Sequence, residues 1–121
     1  MTAQTNALAG RRLLVVEDEY FLADDLASKF RAQGASVVGP VGTLTDALDL
    51  LDAGEGIDCA VLDLNLQGEK AYPIADLLAE RKVPFVFATG YDASAIPPRF
   101  AEVRRYEKPV DAAQLALALV R

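Results

Sequence analysis

Three continuous apolar runs, Leu13-Leu14-Val15-Val16, Cys59-Ala60-Val61-Leu62 and Phe85-Val86-Phe87-Ala88, are each too short for a typical helix, and each stops at a polar residue. Unbroken apolar runs of this length are what strands covered on both faces require, as in a parallel sheet. Between the runs the period changes. From Glu19 to Gln33, Leu22, Leu26 and Phe30 recur every four residues among Asp24, Asp25, Lys29 and Arg31, which predicts an amphipathic helix stopped by Gly34. SVVGPV at 36–41 predicts a short strand, and a Gly-Pro pair inside or after it suits an edge position. Thr43 or Thr45 is placed to cap the next helix, which runs through Ala47, Leu48, Leu50 and Leu51 to AGEG.

NLQGEKAYP reads as a loop, with Gly68 serving its backbone geometry, and leads into a helix over Ile74, Leu77 and Leu78. In DASAIPPRF, Pro97 and Pro98 allow only a short or broken helix. VRRYEKP is a weaker fifth strand. In VDAAQLALALVR the alternation of Leu115, Leu117 and Leu119 resembles a strand, but alanine richness and the start from Pro109 to Asp111 favour a helix. Its apolar residues then occupy several faces, which suggests a partner surface as well as a core contact. Five strands alternating with helices predict an α/β fold, a doubly wound five-stranded parallel sheet. At 121 residues the chain is one domain, read as a loose tail over 1–10 and a folded unit over 11–121.

In such sheets ligands bind beyond the carboxyl ends of the strands. Those ends carry Glu17, Asp18 and Glu19 after the first strand, Asp63 after the third, Thr89 after the fourth and Lys108 after the fifth. There is no histidine, which excludes Ser-His-Asp triads, Cys-His pairs and imidazole metal sites. The single cysteine, Cys59, lies inside an apolar run and reads as core packing; with no disulfide framework, a reducing cytoplasm is expected. The start lacks the apolar core of a signal peptide, and no run is long enough to span a bilayer. A net charge of -6 without a basic stripe argues against direct nucleic-acid binding.

Carboxylates about 6 Å apart repel by roughly 3 kcal/mol per pair at an effective dielectric near 20. Glu17, Asp18 and Asp63 gathered at one crevice would therefore raise a pKa or attract a cation. All-oxygen ligands suit a hard ion, and Mg2+ fits a few carboxylates, waters and a phosphate oxygen. Lys108 can reach a phosphate oxygen, and a carboxylate can attack phosphorus while the threonine hydroxyl and loop amides bind the equatorial oxygens. Taken singly, each residue has an ordinary use. An acidic pair suits a helix N-terminus, Asp63 a turn, Thr89-Gly90 a turn, and Lys108-Pro109 a surface loop.

Taken together and in order, VVEDE, AVLDLNL, ATG and EKP resemble the motifs of response-regulator receiver domains of the CheY-like kind, over essentially residues 11–121. The resemblance implies a flavodoxin-like sheet of strand order 2-1-3-4-5 and phosphorylation of Asp63 by a sensor histidine kinase. It implies Mg2+ held by Asp18, Asp63 and the Asn65 carbonyl, with Glu17 acting through water. Thr89 and Lys108 would contact the phosphoryl group, and a cis Lys108-Pro109 bond is expected. FATGY further resembles the FAT GUY subgroup of single-domain receivers, found among alphaproteobacteria and linked to HWE or HisKA2-type kinases and stress signalling. One position departs from the pattern. Receivers usually carry an aromatic three residues before the lysine, and here Arg105 stands there; Tyr106, one place on, should face the other way by strand alternation. Tyr91 is then the candidate to act with Thr89 in the switch.

The expected function is a stand-alone phosphoacceptor and signalling switch that binds a downstream protein or phosphotransfer partner, rather than a turnover enzyme. Two alternatives compete with it: a phosphatase working through an aspartyl-phosphate, and a scaffold indifferent to phosphate. Phosphatases resembling the haloacid dehalogenase family carry D-x-D after the first strand, a pattern that Asp18-Glu19-Tyr20 breaks. Neither GxxxxGK[ST] nor GxGxxG occurs, which disfavours nucleotide binding.

Overall fold

The computed structural model describes residues 8–54, 56–90 and 96–120. Five parallel strands form the main sheet: β1 (Arg12–Val16), β2 (Ser36–Val41), β3 (Cys59–Asp63), β6 (Phe85–Thr89) and β7 (Arg105–Glu107), in the order β2-β1-β3-β6-β7. This is the predicted doubly wound order. Two further strands, β4 (Asn65–Leu66) and β5 (Glu69–Lys70), pair antiparallel as a separate hairpin where the sequence suggested only a loop.

Helices cover both faces: α1 (Tyr20–Ala32), α2 (Leu44–Asp52), α3 (Tyr72–Glu80) and α4 (Ala112–Leu119). The alternation inside β1 shows how one run of apolar residues serves two cores. Leu13 and Val15 pack with Leu26 and Phe30 of α1 and with Leu115 and Leu119 of α4. Leu14 and Val16 pack on the opposite side with Leu51 of α2 and Ile74 and Leu78 of α3. Two of these four helices, α2 and α4, start at a side-chain cap. Thr43 accepts the Asp46 N–H at 3.0 Å, and Asp111 accepts the Ala113 N–H at 2.9 Å. On α4 the apolar positions do spread beyond the buried face, since Leu117 is exposed.

The loose tail expected over 1–10 does not extend to residue 10. Residues 8–10 form a turn, Leu8 is fully buried, and its N–H donates to the Gln33 carbonyl at 3.0 Å. The reason lies in Gly34. It ends α1 at φ +95, and a Cβ there would meet the Ala9 Cα at 2.8 Å, so only glycine lets this turn close over the helix end. Residues 1–7 lie outside the described ones. At the other sheet edge, β2 pairs Val38 with Leu14 but Val41 with Val16, so one extra residue is accommodated around Gly39-Pro40. The bulge delivers the Val41 carbonyl to the Glu17 N–H at 2.9 Å, which anchors the end of β1 where the acids begin.

Candidate phosphoryl-transfer site

Among the described residues, the buried polar side chains are Glu17, Asp63 and Thr89. All three stand at or just beyond the carboxyl ends of β1, β3 and β6, which are neighbours or next neighbours in the sheet. Strands as buried as β1, β3 and β6 have no structural need for charge at these ends, because burying an unpaired carboxylate is costly.

Lys108, just past β7, is what makes that burial tolerable. Its Nζ lies 2.9 Å from Glu17 Oε1 and 3.0 Å from Asp63 Oδ2. Its backbone N–H donates to the Thr89 carbonyl at 2.8 Å, which fixes the start of the lysine stem to the end of β6. The Lys108-Pro109 peptide is cis, as the resemblance implied. Asp18 completes the cluster: one carboxylate oxygen from each of Glu17, Asp18 and Asp63 lies within 4.8 Å of the others.

Backbone amides hold all three acids. Glu17 Oε2 accepts the Glu19 N–H at 3.0 Å, Asp63 Oδ1 accepts the Asn65 N–H at 3.2 Å, and Asp18 Oδ2 accepts the Gln67 N–H at 3.0 Å. Burial pushes the Asp63 carboxyl up to about 7, and the neighbouring Glu17 charge adds to the rise; the hydrogen bond from Lys108 works against it. Burial pulls the Lys108 ammonium down, but its bonds to Glu17 and Asp63 outweigh that and hold it above its ordinary value. Three acids face one ammonium, so the ionised site carries surplus negative charge. Its donors are all oxygen, without histidine, and the lone thiol, Cys59, is buried at the opposite end of β3 with its pKa raised to about 11 by that burial. That donor set fits a hard divalent ion such as Mg2+.

Comparison with known proteins bears on the family. No protein-family model matches the chain. The solution structure of SdrG from Sphingomonas melonis Fr1 is 38% identical, with a TM-score of 0.79, over 95% of this chain and 98% of that one. A response regulator receiver protein from Sinorhizobium medicae WSM419 is 26% identical at a TM-score of 0.76, over 90% of each chain. The chain belongs to the response regulator receiver family. Among curated relatives, the transcriptional regulatory protein PdtaR of Mycobacterium tuberculosis is 28% identical over 91 residues, 74% of this chain. The chain spans 44% of that relative's length.

Of the residues singled out from the receiver resemblance, Glu17, Asp18, Asp63 and Lys108 meet at one place, and Thr89 ends the strand beside them. Asn65 begins the β4–β5 hairpin, with its N–H on Asp63. Tyr91 lies outside the described residues. Tyr106 pairs with Ala88 and packs on the α1–α4 side, whereas Arg105 pairs with Phe87, whose ring is in the opposite core. Thr89, two residues from Phe87, shares its face of the strand, so Tyr106 is on the wrong side to meet it. The sequence reading missed the amides of Glu19 and Gln67. The one available signal was Gln67-Gly68, a turn dipeptide directly after the candidate phosphoacceptor segment.

Proposed function

We propose that this receiver accepts a phosphoryl group on Asp63 in a Mg2+-dependent reaction, with a histidine kinase as donor, and passes the change to a protein-binding surface. The supporting observation is the burial of Glu17, Asp63 and Thr89 at adjacent strand ends with Lys108 bonded across two of them. An Asp63 oxygen forms the new O–P bond as the donor's P–N bond breaks, and the leaving imidazole nitrogen takes up a proton. Lys108, already aimed at Asp63, binds a phosphoryl oxygen. The Thr89 hydroxyl hydrogen-bonds another, which ties the phosphorylated state to the end of β6.

Glu17, Asp18, Asp63 and the Asn65 carbonyl would hold the ion, Glu17 through water. When bound, the ion neutralises developing charge on the phosphoryl oxygens. Tyr20 and Phe21, 77% and 85% exposed at the start of α1 and two to three residues from Asp18, offer apolar anchorage to a docking donor. HWE or HisKA2-type kinases are the donor class that the FATGY segment favours, and Tyr91 is the second switch residue. The test is incubation with acetyl phosphate and Mg2+, followed by intact-mass analysis. Wild type gains one phosphoryl group that chelator prevents, and Asp63→Ala gains none. Labelling of Asp63→Ala at the wild-type level, or none in wild type, would overturn the reading.

A further inference from the structure

Each acid of the cluster has one of its two carboxylate oxygens tied to a main-chain N–H, and two of those three ties come from the β4–β5 hairpin. Asn65 holds Asp63 Oδ1 and Gln67 holds Asp18 Oδ2. The hairpin is built to aim these amides. Its loop is the two-residue Gln67-Gly68, flanked by the pair Leu66 and Glu69, and both loop residues have positive φ, 53 and 92. Positive φ at both centres is the signature of a type I′ turn, and a glutamine accepts it at a cost of about 1 kcal/mol or more. Leu66 is buried in the α2–α3 core, and the Ala71 N–H donates to the Leu64 carbonyl at 3.0 Å, so both ends of the hairpin are anchored.

A carboxylate chelates an ion through both oxygens only if it can turn both toward that ion. The amide ties oppose this turn at Asp18 and Asp63, and the Glu19 amide opposes it at Glu17. Single-oxygen ligation suits Mg2+, which demands a small octahedron, and penalises Ca2+, which fills six to eight positions and commonly takes bidentate carboxylates. Building on the proposed Mg2+-dependent phosphorylation, we propose that the Gln67-Gly68 turn is the specificity element of this site. By holding Asp18 to one oxygen, as the Asn65 amide holds Asp63, it selects Mg2+ over Ca2+.

The experiment compares wild type, Gln67→Gly and Gln67→Pro, each titrated with Mg2+ and separately with Ca2+. Binding is followed by the amide resonances of Asp18 and Asn65, with acetyl phosphate labelling as a separate readout. Gln67→Gly keeps the N–H and eases the positive φ, so it retains the wild-type preference for Mg2+. Gln67→Pro lacks the N–H and cannot adopt φ 53. It should lose about tenfold or more in Mg2+ affinity, as loss of a second-layer contact typically does, while Ca2+ affinity holds or rises. Unchanged far-ultraviolet circular dichroism and unchanged core resonances of β1 and β3 establish that the exposed hairpin alone has altered. A Mg2+-to-Ca2+ ratio in Gln67→Pro equal to that of wild type would overturn the proposal, as would a wild type that binds Ca2+ as tightly as Mg2+. Failure of wild type to bind either ion or take phosphate would instead remove the functional reading beneath it.

Discussion

The Lys108 ammonium lies 3.0 Å from Asp63 Oδ2, although 45 residues separate the two along the chain. The contact exists because β3 and β7 flank β6, so the ends of three consecutive strands in the sheet face one another. Lys108→Ala leaves Glu17 and Asp63 buried without their shared cation and, in the proposed reaction, removes the donor that would meet the incoming phosphoryl oxygens. The labelling rate with acetyl phosphate should fall about 100-fold or more, the usual cost of removing one preorganised charge-stabilising donor. Lys108→Arg should restore little, because a planar guanidinium cannot replace a compact ammonium bonded to two different carboxylates. Quenched-flow or timed mass analysis of phosphate incorporation gives the rates.

Burial gives Asp63 a second measurable property. Its folded pKa is about 7 against an ordinary 3.8, so between those values the folded protein keeps a proton that the unfolded chain has released. Stability from this group therefore falls as pH rises from about 4 to about 7, and the penalty is fully present above that window, up to about 4 kcal/mol for a three-unit shift. Asp63→Asn removes the penalty. In metal-free buffer the variant should be the more stable protein at pH 8, by about 1–3 kcal/mol, with the gap closing toward pH 4. Saturating Mg2+ should narrow the gap at pH 8 by binding the ionised wild type. Urea denaturation of both proteins at several pH values measures it.

Asp63 was legible in the sequence because a strand buried on both faces reads as an unbroken apolar run, and its end is where the run meets a polar residue. Thr89 follows the same rule, but Lys108 does not: β7 is short, polar and exposed at both of its ends, so the lysine was legible only through the EKP motif. The β4–β5 hairpin was not legible, since two-residue strands are too short to show any alternation. The tie between Gln67 and Asp18 was hidden for a different reason: every residue except proline carries the amide that makes it. Leu8 was lost in a polar stretch because one apolar residue has no period, and its burial depends on Gly34 leaving room 26 residues later.

Thr89 tests how the signal leaves the site. It is buried at the end of β6 and shares a face with Phe87, whose ring contacts Phe100 edge-on at 5.7 Å between centroids. Phe100 in turn stacks on Tyr72 of α3 at 5.6 Å, so the strand end is packed directly against the segment that precedes β7. Thr89→Ala should still be labelled on Asp63, since the nucleophile, Lys108 and the acids are intact. Beryllofluoride should change the amide shifts over 96–107 in wild type, and those changes should shrink to a minor fraction in the variant. Heteronuclear spectra with and without the mimic measure both effects.

Tyr106 supplies the matching negative prediction. It is half-buried against the α1–α4 core, across the sheet from Thr89, while Arg105 holds the position facing the Phe87 side. A tyrosine that supports only packing contributes to stability and not to the response. Tyr106→Ala should therefore cost about 1–3 kcal/mol in urea denaturation, the range for losing a partly buried large side chain. Its beryllofluoride-induced shifts over 96–107 should match those of wild type, where Thr89→Ala loses them. A response abolished by Tyr106→Ala at full folding would mean that strand alternation does not separate the two side chains functionally, and the switch would have to run through both faces of the sheet.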